Sequence, residues 1–445
     1  MREIKAGAEL IGEALILGRV REVMQPIVTS SGALSSEFAP GVVGARYSLL
    51  VTLPLKQTFI DTFSSYLAAH KVTKADIWAA RDVTLGAKQR GNQRGKQVNV
   101  AIWDSGVDTR LFPGRVLKDK RAPQVIAFDK YSRRSSGELM PVPTALRARL
   151  PELKARTKGL SDLESNIDSP EASEVKRFLS QLTPDKYKAA VEELNLVGSY
   201  VHGTHVAGIT MAGNPFARLM VARIEFGHTI KPEPCPSREL SLRDAAAAQA
   251  YVDFFKARRA RVVNMSWGGN VTSIEGELEQ CGVGKTPEER KALAREYFDI
   301  SKNALTKAMA SAPGILFVAA AGNSGDDASF TESIPAGIEL PNLLTVGAVD
   351  LAGDEASFTS YGPTVKVHAN GYQVQSLLPG GDKVALSGTS MSSPQVANLA
   401  AKMLALNPKL DPPTLVKIIV DTADKTSDGR RNLMNPKKAI AAATR

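Results

Sequence analysis

Two histidines three residues apart, His202 and His205 in VHGTHVAGIT, could share one face of a helix and hold a metal ion. They could equally be one catalytic base and one structural neighbour. The metal reading lacks the intervening glutamate and the third ligand that a zinc-protease helix carries. Three other residues of catalytic type stand well apart from the pair: Asp104 in IWDSGVD, Asn323 in AAAGNSG and Ser390 in SGTSMSSPQVAN. Their chemistry is complementary. A serine hydroxyl attacks a carbonyl only when a histidine takes its proton. That imidazole needs a buried carboxylate to fix its tautomer and stabilise its charged form. An amide side chain and a backbone N–H can receive the oxyanion that follows. Singly, each residue has a plainer account, with Asp104 as a turn or cap residue, Ser390 as a helix cap and Asn323 as a turn.

The surrounding elements are ones that can bring such residues together. QVNVAIW (97–103), QVIAF (124–128), LMVARIEF (219–226), ARVVNMS (260–266), GILFVAAAG (314–322) and LLTVGAVD (343–350) read as buried strands. DAAAAQAYVDFFKARR, the run from Glu289 to Met309 and MSSPQVANLAAKMLAL read as helices between or after them. The alternation predicts an α/β fold, a mainly parallel sheet with helices on both faces. In such a sheet, functional residues gather where strands end. Asp104 and Asn323 follow strands, Ser390 follows a Gly-Thr turn, and His202 is expected to begin a helix. Residues 133–198 interrupt the rhythm with a charged, helix-prone insertion. Residues 1–72 form a separate N-terminal region, with a strand expected over RYSLLVTL (46–53) and a helix through FIDTFSSYLAAH.

Composition narrows the function classes. The chain has 445 residues, with 43% hydrophobic and 23% charged, as in ordinary globular proteins. It contains no apolar stretch of membrane-spanning length. The net charge of +10 is diffuse. Its one cluster, GAKQRGNQRGKQ (86–97), has no interleaved aromatic residue, so it reads as a solvated linker and no nucleic-acid partner is expected. Glu3, Glu9 and Glu13 interrupt any signal-peptide core, which points to the cytoplasm if Met1 is the natural start, or to secretion or the periplasm if a leader has been removed. Cys235 and Cys281 are the only cysteines; they lack metal-site spacing and leave a single disulfide open.

Taken together, the motifs resemble those of the subtilisin-like serine proteases, the subtilases (peptidase S8). VAIWDSGVDT is similar to the family's aspartate motif, VHGTHVAGI to its histidine motif and SGTSMSSPQVAN to its serine motif. The order Asp, His, Ser is that of subtilisin. The resemblance implies a three-layer αβα fold over residues 73–445 and a serine endopeptidase acting on polypeptides through an acyl-enzyme. Asp104, His202 and Ser390 would be catalytic, and Asn323 with the Ser390 N–H would form the oxyanion hole. Ser266, Trp267 and Gly268 would bind substrate backbone, and residues 319–322, including Ala320 and Gly322, would form the P1 pocket. Asp326, Asp327 and Glu332 make a basic P1 residue conceivable, although solvated loop charges are the plainer reading.

The resemblance also implies that residues 1–72 are an inhibitory, self-cleaved propeptide, the plainer alternative being a permanent N-terminal subdomain that is never removed; with no apolar stretch of spanning length, no membrane partner is expected. This chain departs from the family pattern in two places. Asp104 and His202 stand 98 residues apart, about three times the subtilisin spacing. The family's strong calcium loop after the histidine helix appears only as a short link, so no cofactor is expected. Two alternatives remain at this level. One is a catalytically silent subtilase scaffold serving as a binding module. The other is a nucleotide-binding doubly wound protein, which would lack its glycine fingerprint.

Overall fold

The computed structural model describes residues 1–35, 38–70, 74–86, 95–118, 124–165 and 167–445. Most of the basic run at 86–97 and part of LAAHKVTK lie outside them. The N-terminal region is helical: α1 (Arg2–Leu10), α2 (Glu13–Arg19), α3 (Gln25–Ser31), α4 (Ala39–Tyr47) and α5 (Lys56–Ala69). The strand expected over 46–53 is absent. That segment instead closes α4 and continues as a π-helical turn, Ser48–Thr52, with none of its residues buried. A strand needs a neighbour to satisfy its backbone, and no sheet edge lies here, whereas a helix satisfies its backbone locally.

The sheet-bearing part begins with β1 (Val98–Asp104), β2 (Val125–Phe128) and the short β3 (Arg134–Ser135). The insertion follows as α6 (Thr144–Arg147), α7 (Leu150–Glu164), α8 (Pro170–Ser180) and α9 (Tyr187–Met211). Then come β4 (Ala217–Ile224), α10 (Arg238–Ala257), β5 (Val262–Met265), α11 (Val271–Gln280) and α12 (Pro287–Ala310). The strands β6 (Leu316–Ala320), β7 (Leu343–Val349), β8 (Val365–Asn370), β9 (Val374–Leu377) and β10 (Lys383–Leu386) lead to α13 (Thr389–Leu406). The chain closes with α14 (Pro412–Asp421), β11 (Asp424–Lys425), β12 (Asn432–Leu433) and α15 (Pro436–Ala443).

Ten strands form one sheet in the order β11-β12-β8-β7-β6-β5-β1-β4-β2-β3, parallel through its centre. Both faces are covered, so the central strands are mostly apolar and nearly every residue in them is buried. Val98, Val100 and Ile102 face α9, α13 and α14, while Ala101 and Trp103 face α10 and α12. The architecture is thus three-layered, αβα, as expected. From β1 the chain runs outward to β4 and β2 on one side and to β5, β6 and β7 on the other. The crevice at that reversal, at the carboxyl ends of the strands, is where an α/β sheet binds ligands.

The insertion does not stop before His202. LNLVGSYVHGTH holds no proline, and its Asn195, Gly198 and Ser199 do not act as caps, so the insertion's last helix, α9, runs unbroken for 25 residues and His202 sits well inside it rather than at its start. The insertion has its own core of Leu163, Val175, Leu179 and Tyr187, against which Leu10 and Leu15 of the N-terminal region pack. A second contact to that region is ionic, with Lys5 bridging Asp168 at 2.9 Å and Lys176 pairing with Glu9. Cys235 and Cys281 form a disulfide with Cα atoms 6.0 Å apart, which resolves the bridge left open by the sequence.

Candidate active site

Asp104 ends β1 and is completely buried. Its Oδ1 accepts from the Ser105 amide at 2.7 Å and faces His202 Nδ1 at 2.7 Å. Because a carboxylate can only accept, Nδ1 carries the proton and Nε2 is left as the base. Burial opposes charge on this imidazole, but the Asp104 carboxylate outweighs it and holds the His202 pKa above its ordinary value. The helix reaches the aspartate because its next residue is glycine. A Cβ on Gly203 would lie 2.2 Å from the carbonyl oxygen of Gly106, itself held at φ +114°. Two further bonds fix that contact, from the Gly203 amide to Ser105 Oγ at 3.1 Å and from the Asp108 amide to Thr204 Oγ1 at 3.0 Å.

His205 faces the other way. It is fully buried, and its Nε2 donates to the Val384 carbonyl at 2.9 Å. Burial pushes its pKa down to about 4, so it stays neutral. With one nitrogen committed to a carbonyl in β10, the two histidines do not form a metal pair, and His205 is the structural neighbour.

Ser390 is the second residue of α13, just after Gly388, whose φ of +146° turns the chain into the helix. Its amide is therefore one of the unpaired donors of a helix N-terminus. Asn323 lies beside it after β6. Its Oδ1 accepts from both the amide and the hydroxyl of Thr389, each at 2.9 Å. These two donors fix which end of the amide is oxygen, and they aim Nδ2 at the space shared with Ser390. The Ser390 hydroxyl itself donates to the Ser266 carbonyl at 3.3 Å rather than to His202.

Ser390 and Asn323 stand between two cavities. One, of about 400 Å³, is lined by Ser266, Trp267, Gly268, Ala320 and Gly322, all five of the expected substrate-binding residues. Ala319, by contrast, is buried within β6 and does not line it. Trp267 is wall and anchor together, since its Nε1 donates to the Trp103 carbonyl at 2.8 Å. No carboxylate lines this cavity. Glu332 is taken by Arg295 and Lys302, Asp326 by the Ser360 hydroxyl, and Asp327 by the amides of Ser329 and Phe330. The plainer reading of those acids as loop charges is the one the geometry supports. The other cavity, of about 410 Å³, is lined by His202, Ser390, Met391 and residues of α7 and α9. Apart from His202, Asn323 and Ser390, sequence reasoning gave this second cavity no residues.

A metal at the link from α9 to β4 does not fit. Residues 212–216 contain no carboxylate, and the guanidinium of Arg115 already donates to the carbonyls of Met211 and Asn214. Among the described residues no group of three or more His, Cys, Asp or Glu side chains is placed to hold a metal ion.

The sequence profile of the subtilase family matches residues 95–435. The chain belongs to the subtilase family. Subtilisin from Bacillus pumilus is 33% identical over 46% of this chain and 64% of its own length. Subtilisin NAT from Bacillus subtilis subsp. natto is 32% identical over 46% of each. The subtilisin-like serine protease Pen ch 13 of Penicillium rubens is 30% identical over 46% of this chain and 43% of its own length. The chain thus spans about half the length of the curated relatives it matches. Among solved structures, a cold adapted subtilisin-like serine proteinase aligns with 82% of this subtilase at 21% identity and a TM-score of 0.43. The family match ends before α15 and begins after the N-terminal helices. No helix among the described residues is long and apolar enough to cross a membrane.

Proposed function

We propose that this subtilase is a serine endopeptidase acting on polypeptides through an Asp104–His202–Ser390 triad. The observation that carries the reading is the buried Asp104–His202 pair at 2.7 Å, opening onto the same space as Ser390 and the free amide of Asn323. Substrate lies extended along residues 266–268, adding its backbone to that edge. The Ser390 hydroxyl turns from the Ser266 carbonyl to His202 Nε2, gives up its proton and attacks the scissile carbonyl. The oxyanion is received by Asn323 Nδ2 and the Ser390 N–H. His202 then protonates the leaving amine, an acyl-enzyme remains on Ser390 Oγ, and water releases it by the same route in reverse. No step is routed through a metal.

The silent-scaffold alternative draws on one feature, the Ser390 hydroxyl resting on Ser266 instead of His202. A fluorophosphonate probe separates the two. Labelling that maps to Ser390 and disappears in His202→Ala supports the protease, and an unlabelled native protein supports the scaffold. An oxidising compartment is the setting in which the Cys235–Cys281 bridge would persist, so we place the enzyme outside the reducing cytosol.

A further inference from the structure

The two cavities beside Ser390 are unequal in origin. The first is built from the sheet, the second largely from the insertion. His202 must hand its proton to the leaving amine, so the leaving segment of the substrate lies on the His202 side, in the second cavity. Leu160, Ser161 and Glu164 of α7 and Leu194 of α9 wall it. Glu164 supplies the only carboxylate among those lining residues, and the only charged type besides the His202 imidazole.

Glu164 has no structural work to do. It is the last residue of α7, where a negative charge meets the unfavourable end of the helix dipole. Its side chain forms no ion pair or hydrogen bond with any described residue, unlike Lys158 and Asp162 earlier on the same helix, which pair with each other. It is exposed at the cavity, burial by the surrounding wall pushes its carboxyl pKa up, and no cation among the described residues opposes the shift. A carboxylate left uncompensated beside a catalytic serine gains most from a cation brought by the substrate.

We infer that Glu164 makes this enzyme select substrates with a lysine or arginine just after the scissile bond, the insertion acting as a specificity wall on the leaving-group side. The inference rests on the endopeptidase reading for its consequence but not for its test. Apolar neighbours Leu160 and Leu194 would hold the stem of such a side chain and Glu164 its charged head, as long basic side chains divide themselves elsewhere. An acidic residue at the same place meets like charge.

The test compares internally quenched peptides identical except for Lys, Gln or Glu at the two positions after the cleaved bond. Wild type should favour Lys over Glu by about tenfold in kcat/KM, a preference that shrinks with added salt. Glu164→Gln should bring the ratio close to one, and Glu164→Lys should reverse it. The same peptides are also titrated against Ser390→Ala, which binds without turnover. If that protein holds the Lys and Glu peptides equally, or if Glu164→Gln leaves the Lys-to-Glu ratio unchanged, the inference is overturned. If wild type hydrolyses no peptide while Ser390→Ala still ranks Lys above Glu, the endopeptidase reading fails and the role of Glu164 stands.

Discussion

Ser266 and Ser390 hold one another through crossed hydrogen bonds. The Ser266 hydroxyl donates to the Ser390 carbonyl at 3.1 Å, and the Ser390 hydroxyl donates to the Ser266 carbonyl at 3.3 Å. The reason lies four residues on. Pro394 sits inside α13 and has no N–H to give the Ser390 carbonyl, so a side chain from outside the helix takes its place. The Ser266 hydroxyl also accepts from Asn264 Nδ2 at 2.9 Å and meets Ser393 Oγ at 3.0 Å, which fixes the direction of its own proton. The proposed substrate edge and the proposed nucleophile are thereby tied to each other.

Ser266→Ala should therefore cost more than a surface hydroxyl. It leaves the Ser390 carbonyl and the Asn264 amide short of a partner, a loss of roughly 1–3 kcal/mol in folding stability. Turnover should fall as well, because the first turn of α13 loses its tether. Denaturant unfolding and kcat measured on the same preparation check both. Unchanged stability would show that water replaces the hydroxyl and that the tether is dispensable.

Asn323→Ala should lower kcat by roughly 10²–10³ with little change in KM, a magnitude carried over from the equivalent deletion in subtilisin rather than derived from this geometry. Thr389→Val is the subtler companion. It removes one of the two donors that orient the Asn323 amide, so it should reduce kcat by less. A mutant at Asn323 that lost mainly KM would move this residue from the oxyanion to substrate binding.

The His202 pair makes activity and stability run in opposite directions with pH. Its pKa is raised in the folded state, so the charged pair contributes stability below the unfolded histidine value, and that contribution is lost as pH rises through the folded value. Catalysis needs neutral His202, so kcat/KM should climb over that same rise, with its midpoint above 6.5. In Asp104→Asn the carboxylate is gone and burial alone acts, which should carry the imidazole below 6.5. An NMR titration of His202 in the two proteins reads this directly; equal values would refute the account.

Gly203→Ala tests the close approach of α9. The added methyl meets the Gly106 carbonyl backbone, which cannot swing aside as a side chain would. We expect about 1–3 kcal/mol of destabilisation and a larger loss of activity, because relief requires moving His202 from Asp104. Gly198→Ala is the control, since its new methyl would meet only Thr157 Cγ2 at 3.9 Å. If both variants behave alike, helix propensity and not the contact sets the effect.

The described residues of 1–70 pack on the insertion through Leu10, Leu15 and Lys5 and, through Ser35, on Glu279, and none of them lines either cavity beside Ser390. With the described residues in this position, the N-terminal helices leave both cavities uncovered. The intact protein should therefore react with a fluorophosphonate without first losing its N-terminus. Labelling that appears only after an N-terminal fragment is released would show instead that the segment blocks the site, and Ser390→Ala remaining full length would mark the cleavage as self-inflicted.

The sequence alone determined the layers and picked out the residues from which the chemistry is proposed. Asp104, His202, Asn323 and Ser390 were legible because each lies in a short motif whose neighbours are themselves constrained. Gly106 and Gly203 allow a backbone contact, Gly388 takes a positive φ, and buried strands such as VNVAIWD are apolar on both faces. Such local patterns survive in a string of residues. Three features were decided only by tertiary structure. RYSLLVTL became helical because no sheet edge lay within its reach, and a strand's partner is not written in the strand. His202 moved from the start of a helix to its interior because the insertion feeds straight into α9, which capping signals alone did not reveal. Ser266 and Glu164 acquired their places through contacts spanning 124 residues of chain in one case and a cavity wall in the other. Hydrogen-bond complementarity and enclosed space belong to pairs and surfaces, and residue type at one position does not encode them.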